Sequence, residues 1–297
     1  MRAARWIVRL ERPLLGLLAM GFAGACASAP VHRHPSRVVA PEGGRPSAVN
    51  LDTASAASPE PVVADQRAFT EGAEVLRGGR LQLEMGDRLV HRSGPGGAAG
   101  DVTESSTSGE VLVRVAAGSR AEVRVAPGAL VHARSPGERH SGRADGVLGA
   151  KFLLVPESHG RAWIPSAALV LETSLPTGSA EFTHATAEPE AKLALGWALP
   201  HGWQVASNVN VARLREHEHR ATEWAYGAAL SHHVAGPVRG LVEAFARRPE
   251  QGATRGFGAA GVAVSLGRHA ELDAEVGHGL GVARHDYFLN IGAARRW

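Results

Sequence analysis

Cysteine occurs once in the 297 residues, at Cys26, which excludes a disulfide within the chain. Aromatic residues make up only 5% of the sequence, against 36 glycines, and no run of roughly 20 apolar residues follows the N-terminus. A helical membrane span is therefore excluded beyond that point. The net charge of +3 is spread over mixed signs rather than collected in a basic patch, which excludes nucleic acid as an expected partner. Gly-x-Ser-x-Gly, a phosphate-binding loop and a zinc-binding helix motif are all missing. Ser207 and Ser231 have no His and Asn/Asp neighbours in a catalytic pattern, so neither an enzyme nor a cofactor is expected. What remains is a chain of short alternating segments, with glycine where backbones crowd.

The N-terminus reads as an export signal over residues 1–25. Arg2, Arg5, Arg9 and Arg12 give it a positive start, Leu14 to Phe22 an apolar core too short to anchor, and Ala23-Gly-Ala25 a cleavage region. Cys26 directly follows, as in the lipid-attachment box of bacterial lipoproteins; ordinary cleavage at Ala25 or Ala27 fits as well. Residues 26–64 are rich in Pro, Ala, Ser and Val without periodicity, a composition that predicts a disordered periplasmic linker.

From about Gly79 the chain predicts twelve strands, near 82–91, 108–117, 120–133, 145–155, 161–174, 190–199, 202–214, 220–233, 237–248, 254–266, 269–281 and 285–297. Short links at 117–119, 156–160, 199–202, 234–237 and 267–268 alternate with longer polar ones at 92–107, 135–145, 178–189 and 215–220. That rhythm predicts an all-β, transmembrane, antiparallel up-and-down barrel, with both ends on the short-turn, periplasmic side. In the last strand Tyr287, Leu289, Ile291, Ala293 and Trp297 share one face, and Phe288, Asn290, Gly292 and Arg296 the other. A closing strand that ends on an aromatic is what the barrel-assembly machinery reads. A soluble sandwich would alternate similarly, and the aromatics weigh against it. Trp163, Trp197, Trp203 and Trp297 fall on the apolar parity near the short-turn end, and Trp224, Tyr226 and Tyr287 near the other. Such placement predicts interfacial girdles against outer-membrane lipids.

Five stretches carry a resemblance to a known family. They are Asp65-Gln-Arg-Ala-Phe-Thr-Glu71 with Glu74-Val75 and Gly79-Arg-Leu-Gln-Leu-Glu84, then Asp145-Gly to Leu148-Gly-Ala-Lys151, Leu171-Glu-Thr-Ser-Leu-Pro-Thr-Gly178, Val242-Glu-Ala-Phe245 and the terminal strand. In this order, over about residues 65–297, the chain resembles the bacterial outer-membrane "transporter" family labelled "putative MetA-pathway of phenol degradation". It departs from the family at Gln66-Arg67-Ala68, where Asp-Arg-Pro is common, and at Arg295, where an aromatic or aliphatic residue is usual. The resemblance implies passage of small solutes, aromatic or hydrophobic ones among them, across the outer membrane. The alternative is a non-conducting structural or interaction barrel, lipid-tethered at Cys26.

The opposite parity supplies the expected lumen: Glu84, Arg114, Glu122, Arg124, Lys151, Glu172, Lys192, Glu243, Glu271, Asp273 and Glu275. Charges inside a barrel must be paired or hydrated, because burying them alone costs too much. They read either as structural ion pairs or as a wall that selects a permeant by charge, with Glu271, Asp273 and Glu275 as the candidate selective patch. Residues 65–78 lack strand alternation and are charged, which predicts a plug at the periplasmic mouth. In it Asp65, Arg67, Glu71 and Glu74 pair with Arg114, Arg124 or Lys151. His217 and His219, two apart in an external loop, do not make a metal site.

Overall fold

The computed structural model describes residues 62–65, 69–93, 103–158, 163–216 and 219–297. The expected export signal, Cys26, the linker up to residue 61, Arg67 and His217 lie outside them. Fourteen strands follow one another: β1 (Leu81–Arg92), β2 (Thr103–Ala116), β3 (Ala121–Ala126), β4 (Leu130–Ser135), β5 (Glu138–Arg143), β6 (Gly146–Val155), β7 (Ser166–Leu175), β8 (Glu188–Ala198), β9 (Gln204–Glu216), β10 (His219–Ala235), β11 (Val238–Pro249), β12 (Arg255–Leu266), β13 (Ala270–Leu280) and β14 (Tyr287–Arg296).

From β6 to β14 successive strands pair antiparallel, and β3 pairs with both β2 and β6. The ring closes where β14 lies against β1, from Gln82 opposite Arg296 to His91 opposite Tyr287. Setting aside the β4–β5 hairpin, twelve of the fourteen strands form a closed barrel. Closure leaves the ring without an open sheet edge.

The extra hairpin corrects the expected strand at 120–133 and the expected loop at 135–145. Pro127 cannot donate to a ladder. Gly128 has φ +86°, and a Cβ there would stand 2.3 Å from the Ala144 carbonyl oxygen. The strand therefore breaks into β3 and β4, and the supposed loop carries β5. Strand β2 serves both pieces, pairing with β3 through Val113–Ala116 and with β4 through Glu104–Ser108. Phe182, from the β7–β8 loop, is buried with Val131, Ala133 and Ala144 and ties the hairpin down. On the same surface the His140 ring faces Glu138 (3.4 Å) and Glu181 (3.3 Å), and its pKa is raised, first by the hydrogen bond to Glu138. Two link lengths also differ from expectation. β9 and β10 run to Glu216 and from His219, consuming most of the external loop, and β7 begins only at Ser166.

The faces are sorted opposite to those of a soluble sheet. Leu81, Met85, Leu89, Leu148, Phe152, Val276 and Leu289 are exposed on the outer wall, whereas Gln82, Glu84, Glu122 and Lys151 are fully buried within. An apolar outer band around a polar interior is the arrangement of a barrel that faces lipid. Near the short-turn rim Trp163, Trp203 and Trp297 are exposed and Trp197 half-buried. Trp203 stacks on His232 with ring centres 4.3 Å apart, and the Arg295 guanidinium lies 5.1 Å over Trp297. Toward the other rim Trp224 and Tyr226 stack at 6.4 Å, and Tyr287 stacks on His91 at 4.5 Å.

Candidate functional site

The segment that precedes β1 runs inside the barrel. Val62, Asp65, Phe69, Thr70, Glu71, Ala73, Val75 and Leu76 are all buried. Their partners fix the path. The Val63 carbonyl accepts from Gln82 (2.8 Å), and the Leu76 N–H donates to Glu122 (2.8 Å), both near the short-turn end. Phe69 and Thr70 sit deeper, at Glu243 midway along β11. The segment thus reaches from the short-turn end to mid-barrel and returns to start β1. Residues without strand alternation have no ladder to join, so side-chain charges hold them instead.

On the wall formed by β2, β3, β6, β7 and β8, four cations meet the segment's carboxylates. Asp65 pairs with Arg114 (3.0 Å) and Lys151 (2.8 Å). Glu71 pairs with Arg124 (2.8 Å), Lys192 (2.5 Å) and Lys151 (3.7 Å). Arg114 also forks onto Glu122 (2.9 and 3.0 Å) and reaches Glu84 (3.0 Å), while Arg124 approaches Glu172 (3.4 Å). Among the described residues both ion pairs of Lys151 go to the segment. Burial pushes the Glu71 carboxyl up, but Arg124, Lys192 and Lys151 outweigh it and hold its pKa well below the ordinary 4.5. Asn208 clamps the Glu71 backbone when its side-chain amide is turned so that the nitrogen donates to the Glu71 carbonyl (3.0 Å) and the oxygen accepts from the Glu71 N–H (3.1 Å).

On the facing wall Glu243 accepts from the Thr70 N–H and hydroxyl (2.6 Å each) and from the Phe69 N–H (3.3 Å). The Phe69 ring stacks on Phe245 at 5.7 Å, in a small apolar cluster with Phe288. Gly227 makes room for this docking: a Cβ there would stand 2.4 Å from the Thr70 hydroxyl oxygen and 3.1 Å from its Cβ. Overpacking of this kind costs about 1–3 kcal/mol. A Gly227→Val chain should therefore loosen the segment without changing any charge. A cysteine at the buried Ala73, in a Cys26→Ser background, should then react with an aqueous maleimide about fivefold faster or more. An unchanged labelling rate would show that Thr70 does not depend on this space.

Beyond Phe69, toward the long-loop end, the lumen widens into a cavity of about 210 Å³ that Phe69 floors. Six carboxylates line it (Glu110, Asp145, Glu172, Glu188, Glu190 and Glu223) against two arginines, Arg88 and Arg247. Several are engaged: Glu223 by Arg247 (2.9 Å), Glu188 by His184 (2.6 Å), and Asp145 by the backbone of Gly178 (2.8 Å) and His184 (3.0 Å). Glu190 accepts from the Asn210 amide nitrogen (3.0 Å), and the Asn210 Oδ1, on a side chain only 4% exposed, has no hydrogen-bond donor among the described residues.

The expected lumen residues all lie on the inward parity, but they do not form one patch. Glu84, Arg114, Glu122, Arg124, Lys151, Glu172 and Lys192 surround the segment on one wall. Glu243, Glu271, Asp273 and Glu275 stand on the other. The acidic trio is drawn into structural contacts: Glu271 binds Arg239 (2.9 Å) and the Ala64 N–H (3.4 Å), and Glu275 accepts from Asn290 (2.9 Å). Glu74, expected to pair, is exposed and has no ion pair among the described residues. It follows Ala73, whose side chain turns into the barrel. Sequence reasoning missed Glu190 and Asn210 as partners and Gly227 as a docking notch. The alternation Glu188-x-Glu190-x-Lys192 was the available signal for the first.

The family described as "Putative MetA-pathway of phenol degradation" matches residues 64–297. Among solved structures, the COG4313 outer membrane channel from Pseudomonas putida F1 is similar with a TM-score of 0.57 at 13% identity, covering 80% of this chain and all (100%) of the channel. Looser similarity extends to the translocator domain of autotransporter NalP from Neisseria meningitidis, with a TM-score of 0.48, 11% identity and coverage of 74% and 90%. The KdgM porin follows with a TM-score of 0.45, 8% identity and coverage of 71% and 98%. No curated protein matches the sequence.

Proposed function

The chain belongs to the "Putative MetA-pathway of phenol degradation" family, and we propose that it is an outer-membrane channel for small solutes, gated from the periplasmic side by residues 62–80. One observation carries this reading. A cavity open to the long-loop end stops at Phe69, on a segment joined to the wall by side-chain contacts rather than by a strand ladder. Such a segment can withdraw without unfolding the barrel. The apolar outer wall and its rim of tryptophans support a place in the outer membrane, with the short turns on the periplasmic side. The apolar floor formed by Phe69 and its neighbours suits solutes with an aromatic or hydrophobic body.

The second reading, a non-conducting barrel, is favoured by the dense pairing around Asp65 and Glu71, which resembles a permanent interior. Solute entry decides between them. Purified full-length protein in liposomes should let small neutral solutes in faster than protein-free vesicles do, and should migrate on gels in a heat-dependent way. Vesicles that stay tight with a properly folded barrel would establish the second reading. Recovery of the protein from the soluble periplasm would overturn both.

A further inference from the structure

We propose that the vestibule above Phe69 is a binding site for small amines: solutes that carry a protonated amino group on a compact apolar or aromatic body. This rests on the channel reading for its purpose and names the solute class that the channel takes. Among the charged groups lining the cavity, carboxylates outnumber arginines six to two. Glu172 and Glu190 stand directly opposite each other on β7 and β8, both turned inward. Like charges in that position destabilise a sheet; Arg124 and Lys192 offset them from below, and a cation lodged on the cavity side adds to that relief. Asn210 stands on β9, next to β8, and already gives its amide nitrogen to Glu190 at 3.0 Å. Among the described residues its Oδ1 has no donor, although the side chain is only 4% exposed and lines the cavity. A buried acceptor without a donor costs stability, and here a ligand can supply that donor.

An ammonium group suits this arrangement in number and sign. It has three hydrogens to donate and no acceptor, and Glu172, Glu190 and Asn210 offer acceptors on three successive strands. The charge lining the whole cavity, six carboxylates against Arg88 and Arg247, also draws cations toward the floor and repels carboxylates. Phe69, Ala212 and Ala225 give the body of the ligand an apolar contact, and about 210 Å³ limits it to a small molecule. Arg124 engages Glu172 at 3.4 Å from below, so Glu190 is the carboxylate with more freedom to turn to a ligand.

Three probes of nearly equal shape test the assignment on the full-length protein in detergent, by calorimetric titration: benzylamine, benzyl alcohol and benzoate. Benzylamine should bind at least about tenfold more tightly than either of the others. Glu190→Gln and, separately, Asn210→Leu should each remove most of that preference while the heat-dependent gel shift shows an intact barrel. Equal binding of benzylamine and benzyl alcohol by the unmodified protein would overturn the proposal, whether or not the variants fold. So would a preference that survives both substitutions. Benzylamine binding to a protein whose vesicles stay tight would support the site and overturn the channel reading, which separates the two failures.

Discussion

Joining residue 73 to residue 196 by a disulfide should shut the channel, and reductant should reopen it. A Cβ built on Gly196 lies 3.8 Å from the Ala73 Cβ, inside the usual Cβ separation of a disulfide. Ala73 is fully buried in the inserted segment and Gly196 faces inward on β8, so the bond would tie the gate to the wall at its midpoint. The Ser166 hydroxyl, 2.8 Å from the new Cβ, must rotate, and as the end of a small side chain it can. Cys26 is the sole native cysteine and is replaced by serine to keep the pairing unambiguous. In the oxidised Ala73→Cys/Gly196→Cys protein solute uptake by liposomes should fall at least about tenfold, because the withdrawn population is removed. Uptake should return with reductant. Oxidised protein that conducts as freely as reduced protein would show that solutes pass with the segment seated, and the gate would have to be sought elsewhere.

Much of the barrel is legible in single strands, since alternation is a local property. Leu289 and Ile291 against Asn290 and Gly292 separate lipid face from lumen without reference to any neighbour. The same reasoning places Glu84, Arg114 and Lys151 inside, and the lack of alternation in residues 65–78 sets that segment apart from the wall. What is lost is whatever depends on two strands at once. Pro127-Gly128 sits inside one expected strand, 120–133, until Ala144, between β5 and β6, is known to press on it. Glu190 meets Asn210 only through the register of β8 on β9, with Glu190 opposite Ala212 and Lys192 opposite Asn210. The space at Gly227 takes its meaning from Thr70, which lies 157 positions away in the chain and is brought there by Glu243. Glu74 shows the converse error. Its charge suggests a partner, but the residue is exposed between the buried Ala73 and Val75.

Removing the charge of Glu71 should release the gate more completely than any other single substitution in the segment. Its carboxylate touches Arg124, Lys192 and Lys151 at once, and all four side chains are buried. Deleting one partner from a buried ion pair costs about 3–5 kcal/mol, because the charges left behind stay desolvated. Applied to the seated state, such a cost shifts the seated-to-withdrawn ratio by about two to four powers of ten. Glu71→Gln keeps the shape and loses the charge, so liposomes bearing it should leak at every pH. The unmodified protein should behave differently as acid is added. Its Glu71 pKa is depressed in the seated state, so this stabilisation is fully present above the ordinary carboxylate value of 4.5 and is lost as the pH falls through the depressed one. Leak should therefore stay level from neutrality down to about pH 4.5 and climb only in stronger acid. Leak that begins near neutrality would point to a titrating group other than Glu71. A Glu71→Gln channel as tight as the unmodified one, with the barrel intact, would mean that Glu243 and the aromatic contacts of Phe69 hold the segment without help from the cation wall.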